Sequence, residues 1–164
     1  MLKKLENQEE IKEFGKYKVE LIKEHQYYAN NINLYDMVVD DYNINDALRH
    51  IGKKNYYQFL IINDKQSIGI LEYKIENSEI DDKEILYLKD IYIKKEFKNK
   101  GIGKKVLSEL KKLNYRIELE CWYNMPANNF YKTMGFKELK TRYMLDIEWE
   151  IINNIPGSNI IYKT

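Results

Sequence analysis

Cysteine, histidine and long apolar runs are scarce in this sequence of 164 residues. The one cysteine, Cys121, excludes an intramolecular disulfide and a multi-cysteine metal site, and two histidines could not alone supply a zinc shell. We therefore expect a mechanism without a metal ion. No apolar run reaches the ~18–20 residues that a membrane span needs, and the first seven residues lack the apolar core of a secretion signal. The sequence thus predicts a cytoplasmic protein without a membrane partner.

Net charge is close to balanced at +1, which argues against a nucleic-acid partner. The charges are nevertheless segregated along the chain. Lys94–Lys112 holds eight lysines and two glutamates, whereas Glu76–Glu84 holds five acids and one lysine, and Asp36–Asp46 holds four acids and no base. This pattern indicates one surface that attracts anions and another that attracts cations, although solvated faces that balance by chance would give the same pattern.

Hydrophobic periodicity predicts an α/β chain that forms a single domain over residues 1–164, in the order β-α-α-β-β-β-α-β-α-β-β. The predicted strands are Leu2–Leu5, Tyr56–Asn63, Ser67–Ile75, Glu84–Ile93, Tyr115–Trp122, Phe136–Ile152 and Asn159–Tyr162. The predicted helices are Glu9–Tyr28, Asn45–His50, Ile102–Leu113 and a short one from Pro126 to Met134. Apolar residues on both faces of Glu84–Ile93 predict a strand in the middle of a covered sheet.

An anion site is predicted where the Glu84–Ile93 strand leads through a basic loop into a helix. The first N–H groups of a helix have no internal partner, and the helix dipole places partial positive charge there. Gly101 and Gly103 allow close approach of a ligand, and Lys98, Lys100 and Lys104 add full charges. A pyrophosphate suits this arrangement, but the third glycine of a Rossmann site and the spacing of a P-loop are both missing.

Two segments resemble the motifs of the GNAT acetyltransferase superfamily. Lys98-Asn99-Lys100-Gly101-Ile102-Gly103 resembles its acetyl-CoA signature, with Lys98 where arginine or glutamine is usual. The run from Asn124 through Ala127, Phe130 and Tyr131 to Gly135-Phe136 resembles its later motif. The resemblance covers about Glu84–Phe136 and implies a mixed, mostly antiparallel central sheet with helices on both faces, and acetyl-CoA as the acetyl donor.

The resemblance also implies roles for individual residues. The strands that end at Ile93 and Trp122 would splay apart around the cofactor. The cofactor-binding set would be Asn124, which could instead cap the following helix, together with Ile91, Tyr92, Ile93, Lys98, Asn99, Lys100, Gly101, Ile102, Gly103 and Lys104. Tyr131 would contact the cofactor and protonate the departing thiolate, although it could instead be a core aromatic residue.

An acceptor amine must lose a proton before it attacks, and three carboxylates are candidates for the base. They are Asp90 before the strand end, Glu120 on the facing strand and Glu72 on the hairpin strand; each could equally form a salt bridge at the rim. His25 and His50 are less favoured. Cys121 is interpreted as a buried structural thiol in the strand beside Trp122.

The acidic stretches lie in regions that often shape the acceptor site in this superfamily, and they favour a small cationic amine such as an antibiotic or a polyamine. The run from Asn124 to Tyr131 also looks somewhat like streptothricin-type antibiotic acetyltransferases. Acetylation of a peptide N-terminus or lysine, acetylation of charged tRNA, and a non-catalytic acetyl-CoA sensor remain alternatives. The apolar tail from Met144 to Thr164 could form a homodimer or complete its own sheet.

Overall fold

Five strands form a single sheet in the order in which they occur along the chain. The computed structural model describes residues 1–30, 44–122 and 124–139. Neighbouring strands are antiparallel except for the last pair, which is parallel. The strands are β1 (Leu2–Lys4), β2 (Tyr56–Asn63), β3 (Gln66–Asn77), β4 (Glu84–Ile93) and β5 (Arg116–Glu118).

Helices cover both faces of this sheet, as predicted. One face carries α1 (Gln8–Asn30), whose Phe14 and Tyr17 pack against the sheet residues Leu60 and Ile70. The other face carries α3 (Ile102–Lys111) and α4 (Pro126–Thr133), which share the larger core cluster with strands β2, β3 and β4. A one-turn helix, α2 (Ile44–Ala47), packs against α1. The predicted order of the first nine elements and the predicted fold class are confirmed. None of the helices within the described ranges is both long and apolar enough to cross a lipid bilayer.

Helix α1 runs across the sheet from β2 towards β5, and its contacts follow that path. The Tyr17 hydroxyl donates a hydrogen bond to the Ser67 carbonyl of β3 at 2.9 Å. One residue later, Lys18 reaches Asp90 on β4. Near the end of the helix, the Tyr28 carbonyl accepts a hydrogen bond from Asn124, beyond β5. Helix α1 therefore covers the region between β4 and β5.

A β-bulge in β4 changes which side chains face each layer. Glu72 of β3 is paired with Asp90 and Tyr73 with Leu88, so that Lys89 is the additional residue. Because side chains alternate along a strand, one extra residue reverses the alternation. Consequently, the α3 face cluster is contacted by Leu86, Leu88, Ile91 and Ile93. Ile85 is buried outside that cluster and Tyr92 packs on the α1 face, so apolar side chains lie on both faces of β4, as expected.

β5 is shorter than predicted. Strand Arg116–Glu118 pairs only with residues 85–87 of β4, and the predicted continuation through Trp122 is not a strand. We attribute the shortening to the bulge, because a bulged strand bends and twists away from its neighbour. Cys121 therefore lies outside the sheet and is half-buried. Residues 136–139, predicted to begin the next strand, are not in a strand, while the rest of that prediction and the 159–162 strand lie outside the described residues.

Gly69 is a position where the sheet has no room for a side chain. A Cβ built on Gly69 would lie 2.0 Å from the carbonyl oxygen of Tyr92 on β4. We expect Gly69→Ala to lower the free energy of unfolding by about 3 kcal/mol, because the two strands must separate to admit a methyl group. Urea denaturation followed by circular dichroism measures this change. Ser108→Ala on the exposed surface of α3 is the control, and equal stability of the two variants would contradict the expected crowding.

Candidate active site

A cleft opens at the end of β4 where its pairing with β5 stops. The last register pair is Tyr87 with Glu118, and β4 continues for six residues beyond it to Ile93. On its other edge, β4 remains paired with β3 as far as Gly69 and Ile93. The backbone groups of Ile91, Tyr92 and Ile93 that point away from β3 therefore face the cleft, where an extended ligand can hydrogen-bond to them.

The helix that follows this strand begins with an open N-terminus. Gly101 is its N-cap residue, with φ 75° and ψ 4°, in the left-handed region that glycine adopts readily. A Cβ there would meet no atom within 4 Å, so the space above the first turn is open among the described residues. The free amides of Ile102, Gly103 and Lys104 are available to a negatively charged group in that space. This geometry fits the diphosphate of acetyl-CoA.

The two glycines of the motif have different structural roles. A Cβ on Gly103 would lie 3.1 Å from Cζ of Phe130, so this glycine makes room for an aromatic ring of α4. The side chain of Ile102 is buried in the core. These two residues can therefore offer only their backbone amides to a ligand.

The lysines of the loop differ in their surroundings. Lys98 binds Glu24 of α1, with Nζ 2.6 and 2.9 Å from its two carboxylate oxygens, and lies 5.8 Å from the ring centroid of Tyr92. This contact fastens the loop to α1. The side chains of Asn99, Lys100 and Lys104 are exposed. Because Lys98 is paired with Glu24, Lys100 and Lys104 are better placed to make the predicted phosphate contacts.

Tyr131 is a buried member of the larger core cluster. Its ring centroid lies 5.4 Å from that of Phe130 and 5.5 Å from that of Phe136. Burial raises the pKa of the Tyr131 phenol well above its ordinary value, and the neighbouring Cys121 and Asp90 raise the pKa further. Tyr131 therefore remains protonated at neutral pH and can donate a proton.

Asn124 connects the segment after β5 to helix α1 by a hydrogen bond. Its Nδ2 donates a hydrogen bond to the Tyr28 carbonyl at 2.9 Å, whereas Oδ1 is buried and has no hydrogen-bond partner among the described residues. The alternative that Asn124 caps α4 does not apply, because the N-cap residue is Met125. The Oδ1 atom is free to accept a hydrogen bond from a ligand.

On the face of the sheet that α1 covers, a cluster of acidic side chains lies between the sheet and α1. Glu72 is fully buried, and Lys18 forms ion pairs with both Glu72 and Asp90, its Nζ lying 2.8 Å from Asp90 Oδ2. Glu72 also accepts hydrogen bonds from His50 Nδ1 at 2.9 Å and from Gln58 Nε2 at 3.5 Å. Two of the three predicted base candidates, Glu72 and Asp90, therefore form ion pairs with the same cation, Lys18.

The surroundings separate the pKa values of these two carboxylates. Burial raises the pKa of Glu72, and Lys18 only partly opposes this effect. Burial acts in the same direction on Asp90 and is the largest single effect, but the charge and hydrogen bond of Lys18, a hydrogen bond with Glu72 and the charge of Lys89 together outweigh it and lower the pKa of Asp90. Burial and nearby cations lower the pKa of His50 to about 4, so that its neutral ring donates from Nδ1 to Glu72. The pKa values of the two carboxylates are thus shifted in opposite directions, and Asp90 is the one whose ionised form the surroundings favour.

The third base candidate, Glu120, lies elsewhere. It is exposed, and its carboxylate contributes with burial to raising the pKa of Tyr87 to about 12. Tyr87 is the last β4 residue paired with β5, whereas Asp90 lies three residues further along, beyond the bulge. Glu120 is thus not part of the cluster around Lys18.

The partners of the acidic residues that were not predicted from the sequence are Lys18, His50 and Gln58. A signal for Lys18 was present, because it lies between Phe14 and Leu21 on the apolar face of α1, where a charged residue indicates a buried ion pair. The positions of His50 and Gln58 depend on tertiary packing. Within residues 1–30, 44–122 and 124–139, no group of three acidic, histidine or cysteine side chains is arranged to hold a metal ion.

The acidic stretch Glu76–Glu84 lies at the opposite end of β4 from the cleft. Glu84 begins β4 and Asp90 lies six positions further along the strand, a distance of about 20 Å. Asp81 in this stretch is held by a bidentate contact with Arg116 at 2.6 and 2.7 Å. The stretch therefore lies too far from the end of β4 to shape an acceptor site there. This differs from the expectation drawn from the sequence. Most of Asp36–Asp46, and the tail from Met144, lie outside the described residues.

Comparison with known proteins relates this geometry to a family. A family model described as an acetyltransferase (GNAT) domain matches residues 55–138. The curated thialysine N-epsilon-acetyltransferase of Sus scrofa is 33% identical over 61 residues, a match that covers 33% of this chain and 35% of that protein. The matched region thus spans about a third of the length of this curated relative.

Solved structures share the fold at low sequence identity. The tetramutant of the BH1408 protein from Bacillus halodurans has a TM-score of 0.70 at 13% identity, over 90% of this chain and 99% of that one. The aminoglycoside antibiotic 6'-N-acetyltransferase AAC(6')-IG from Acinetobacter haemolyticus has a TM-score of 0.63 at 13% identity, over 92% of this chain and 99% of that one. With the family model extending from the start of β2 to beyond α4, these findings show that the chain belongs to the GNAT acetyltransferase domain family.

Proposed function

We propose that this chain acts as a single domain that transfers an acetyl group from acetyl-CoA to a primary amine of a small cationic molecule, both substrates being bound together. The observation that carries the proposal is the meeting of two unlike sites at the end of β4. An open helix N-terminus and an unpaired strand edge suit the donor. An acidic cluster with an ionised carboxylate, Asp90, suits a cationic acceptor.

On the donor side of the site, backbone and side-chain groups of three segments would hold acetyl-CoA. The amides of Ile102–Lys104 would bind its diphosphate, with the exposed Lys100 and Lys104 nearby. The edge of β4 at Ile91–Ile93 would bind the pantetheine arm. When bound, acetyl-CoA supplies an activated thioester. The Oδ1 atom of Asn124 is an additional acceptor for the N–H groups of such a ligand.

Two residues move protons in this proposal. Asp90 accepts a proton from the ammonium group of the acceptor, directly or through a water, which frees the nitrogen lone pair for attack on the thioester carbon. Tyr131 donates its hydroxyl proton to the departing sulfur as the C–S bond breaks, and it regains a proton from the nitrogen that becomes the amide. Glu72 is not assigned the role of base, because Lys18, His50 and Gln58 already occupy its carboxylate.

The acceptor is proposed from charge and from the names of similar proteins. One lysine between two buried carboxylates leaves a net negative charge when both are ionised, which would attract an ammonium group. The thialysine N-epsilon-acetyltransferase and the aminoglycoside 6'-N-acetyltransferase are both named for transfer to nitrogen on a small molecule. Both features favour a small amine over a folded protein.

A panel of amines tests this function directly. We expect thiol release from acetyl-CoA to depend on added amine, and to be faster with aminoglycosides, streptothricin-like amines, polyamines or thialysine than with peptides that carry an N-terminal amine or a lysine. Release measured without an amine is the control. Faster release with peptides would overturn the small-molecule assignment, and binding of acetyl-CoA with no amine-dependent release would favour a sensor.

The diphosphate site is tested at Gly101 by a matched pair of substitutions. Asparagine and aspartate have similar size and both tolerate left-handed backbone conformations, so the pair isolates charge. We expect Gly101→Asp to bind CoA at least about tenfold more weakly than Gly101→Asn, since like charges ~4 Å apart repel by ~1–4 kcal/mol near a protein surface. Isothermal titration calorimetry measures the two affinities.

A control for Gly101→Asp is Gly52→Asp. Gly52 also has a positive φ of 73° and no atom within 4 Å of its Cβ position, but it lies after α2 on the other face of the sheet. This variant should bind CoA like the wild type. Equal CoA affinity of the Gly101→Asp and Gly101→Asn variants would show that no phosphate lies at this helix terminus.

The role of Tyr131 is tested by removing only its hydroxyl group. We expect Tyr131→Phe to lower kcat by about 10²-fold or more, the usual contribution of a general acid, with little change in CoA affinity. Steady-state kinetics and calorimetry give the two quantities. Tyr73→Phe is the control, since Tyr73 is buried in the same core cluster. If Tyr131→Phe weakened binding and turnover equally, Tyr131 would be a packing residue only.

A further inference from the structure

We propose that Lys18 is a positioning residue of the reaction, which holds the Asp90 carboxylate in place and in its ionised form at the end of the cleft. The inference rests on the proposed function and deepens it. Lys18 acts through Asp90 and is not assigned contact with either substrate. Its role follows from three features: its contacts, the anchoring of its second partner, and the lack of another cation in contact with Asp90 among the described residues.

The contacts place Lys18 between two strands. Its Nζ lies 2.8 Å from Asp90 Oδ2 on β4 and also contacts Glu72 on the neighbouring strand β3. The side chain of Lys18 is only 5% exposed, so water does not screen these interactions effectively. Asp90 faces Lys18 because the bulge at Lys89 turns its side chain to the α1 face.

Glu72 fixes the position of the lysine. It is fully buried and accepts hydrogen bonds from His50 Nδ1 at 2.9 Å and from Gln58 Nε2 at 3.5 Å, while Gln58 also donates to the His50 carbonyl at 3.0 Å. The carboxylate of Glu72 is therefore held from two further directions. Because Lys18 Nζ is tied to this fixed carboxylate, the position of its bond to Asp90 is also fixed.

The other groups that face Asp90 do not replace the charge of Lys18. His25 lies two helical turns beyond Lys18 on α1, and burial lowers its pKa, so that its ring is neutral near pH 7. His50 after α2 and Tyr131 on α4 are also neutral there. Glu72 on β3 is an acid, and Lys89, which directly precedes Asp90 on β4, is a more distant cation. Among the described residues, Lys18 is the only cation that forms an ion pair with Asp90.

Removing the charge of Lys18 should change the pH dependence of the activity in a specific way. Burial alone disfavours the ionised form of Asp90, and a cation within about 4–6 Å lowers a carboxyl pKa by about 1–3 units. Without the charge, the pKa of Asp90 rises. Activity that requires ionised Asp90 is lost as the pH falls through this pKa, so the acid limb of the profile moves to higher pH.

The first measurement is the pH profile of kcat/KM with the best amine from the panel. We expect the acid limb of Lys18→Met to move upward by about 1 pH unit or more. Lys18→Arg keeps the charge and should leave the limb near its wild-type position. Lys16→Met changes an exposed lysine of the same helix and should have no effect on the limb. Asp90→Asn should abolish the limb, which identifies Asp90 as its source.

The second measurement does not depend on turnover. Carbon-13 NMR of protein with labelled aspartate side chains gives the pKa of Asp90 directly, with Asp90→Asn providing the assignment. If Lys18→Met does not fold, Lys18→Gln carries the same expectation, because glutamine removes the charge but can still donate a hydrogen bond to Glu72 or Asp90.

The outcomes separate this inference from the proposed function. An Asp90 pKa that is unchanged in the folded Lys18→Met or Lys18→Gln variant would overturn the role of Lys18, whether or not the protein transfers acetyl groups. A wild type that binds CoA but releases no thiol with any amine would instead overturn the proposed function. An upward shift in both the NMR titration and the acid limb, reversed by arginine, supports the assignment.

Discussion

The bulge at Lys89 is the feature on which the arrangement of the cleft depends. One additional residue in β4 reverses the alternation of side chains, so that Ile91 and Ile93 join the core under α3 while Asp90 and Tyr92 face α1. The bulge also bends the strand, and pairing with β5 ends two residues earlier, at Tyr87. A single local irregularity thus produces both the open strand edge and the turned carboxylate.

The acidic cluster has an energetic cost that a purely structural contact would not require. Buried ion pairs lose hydration, and replacing them by well-packed apolar residues is often neutral or stabilising. Removing one partner alone, however, typically destabilises a protein by about 3–5 kcal/mol, because a charge is left buried without compensation. Lys18, Glu72 and Asp90 therefore stabilise the fold only as a set. In the proposed reaction, an acid held beside the cleft would give this set a role that apolar packing could not provide.

Much of the fold could be predicted from periodicity, because β2 and β4 have long apolar runs with clear boundaries and both match the predicted bounds. The ends of β3 differ by a few residues, and β5 was predicted five residues too long. The reason is physical: a run of apolar residues identifies a segment that can form a strand, but pairing also needs a neighbour within hydrogen-bonding distance. Pairing between β4 and β5 ends at Tyr87, two residues before the bulge residue Lys89, and no local pattern in residues 115–122 indicates where it ends.

The same distinction explains why the donor side of the site was predicted in more detail than the acceptor side. Backbone amides at the start of a helix bind an anion, and the residues that allow this, Gly101 and Gly103, lie close together in the sequence. The proposed acceptor side depends on side chains from α1, β3 and β4 that are far apart in the chain, with Lys18 and Glu72 separated by 54 positions. Such a cluster has no sequence motif of its own. Its sequence signal is a single lysine on the apolar face of a helix, whose meaning depends on which carboxylates the sheet places beneath it.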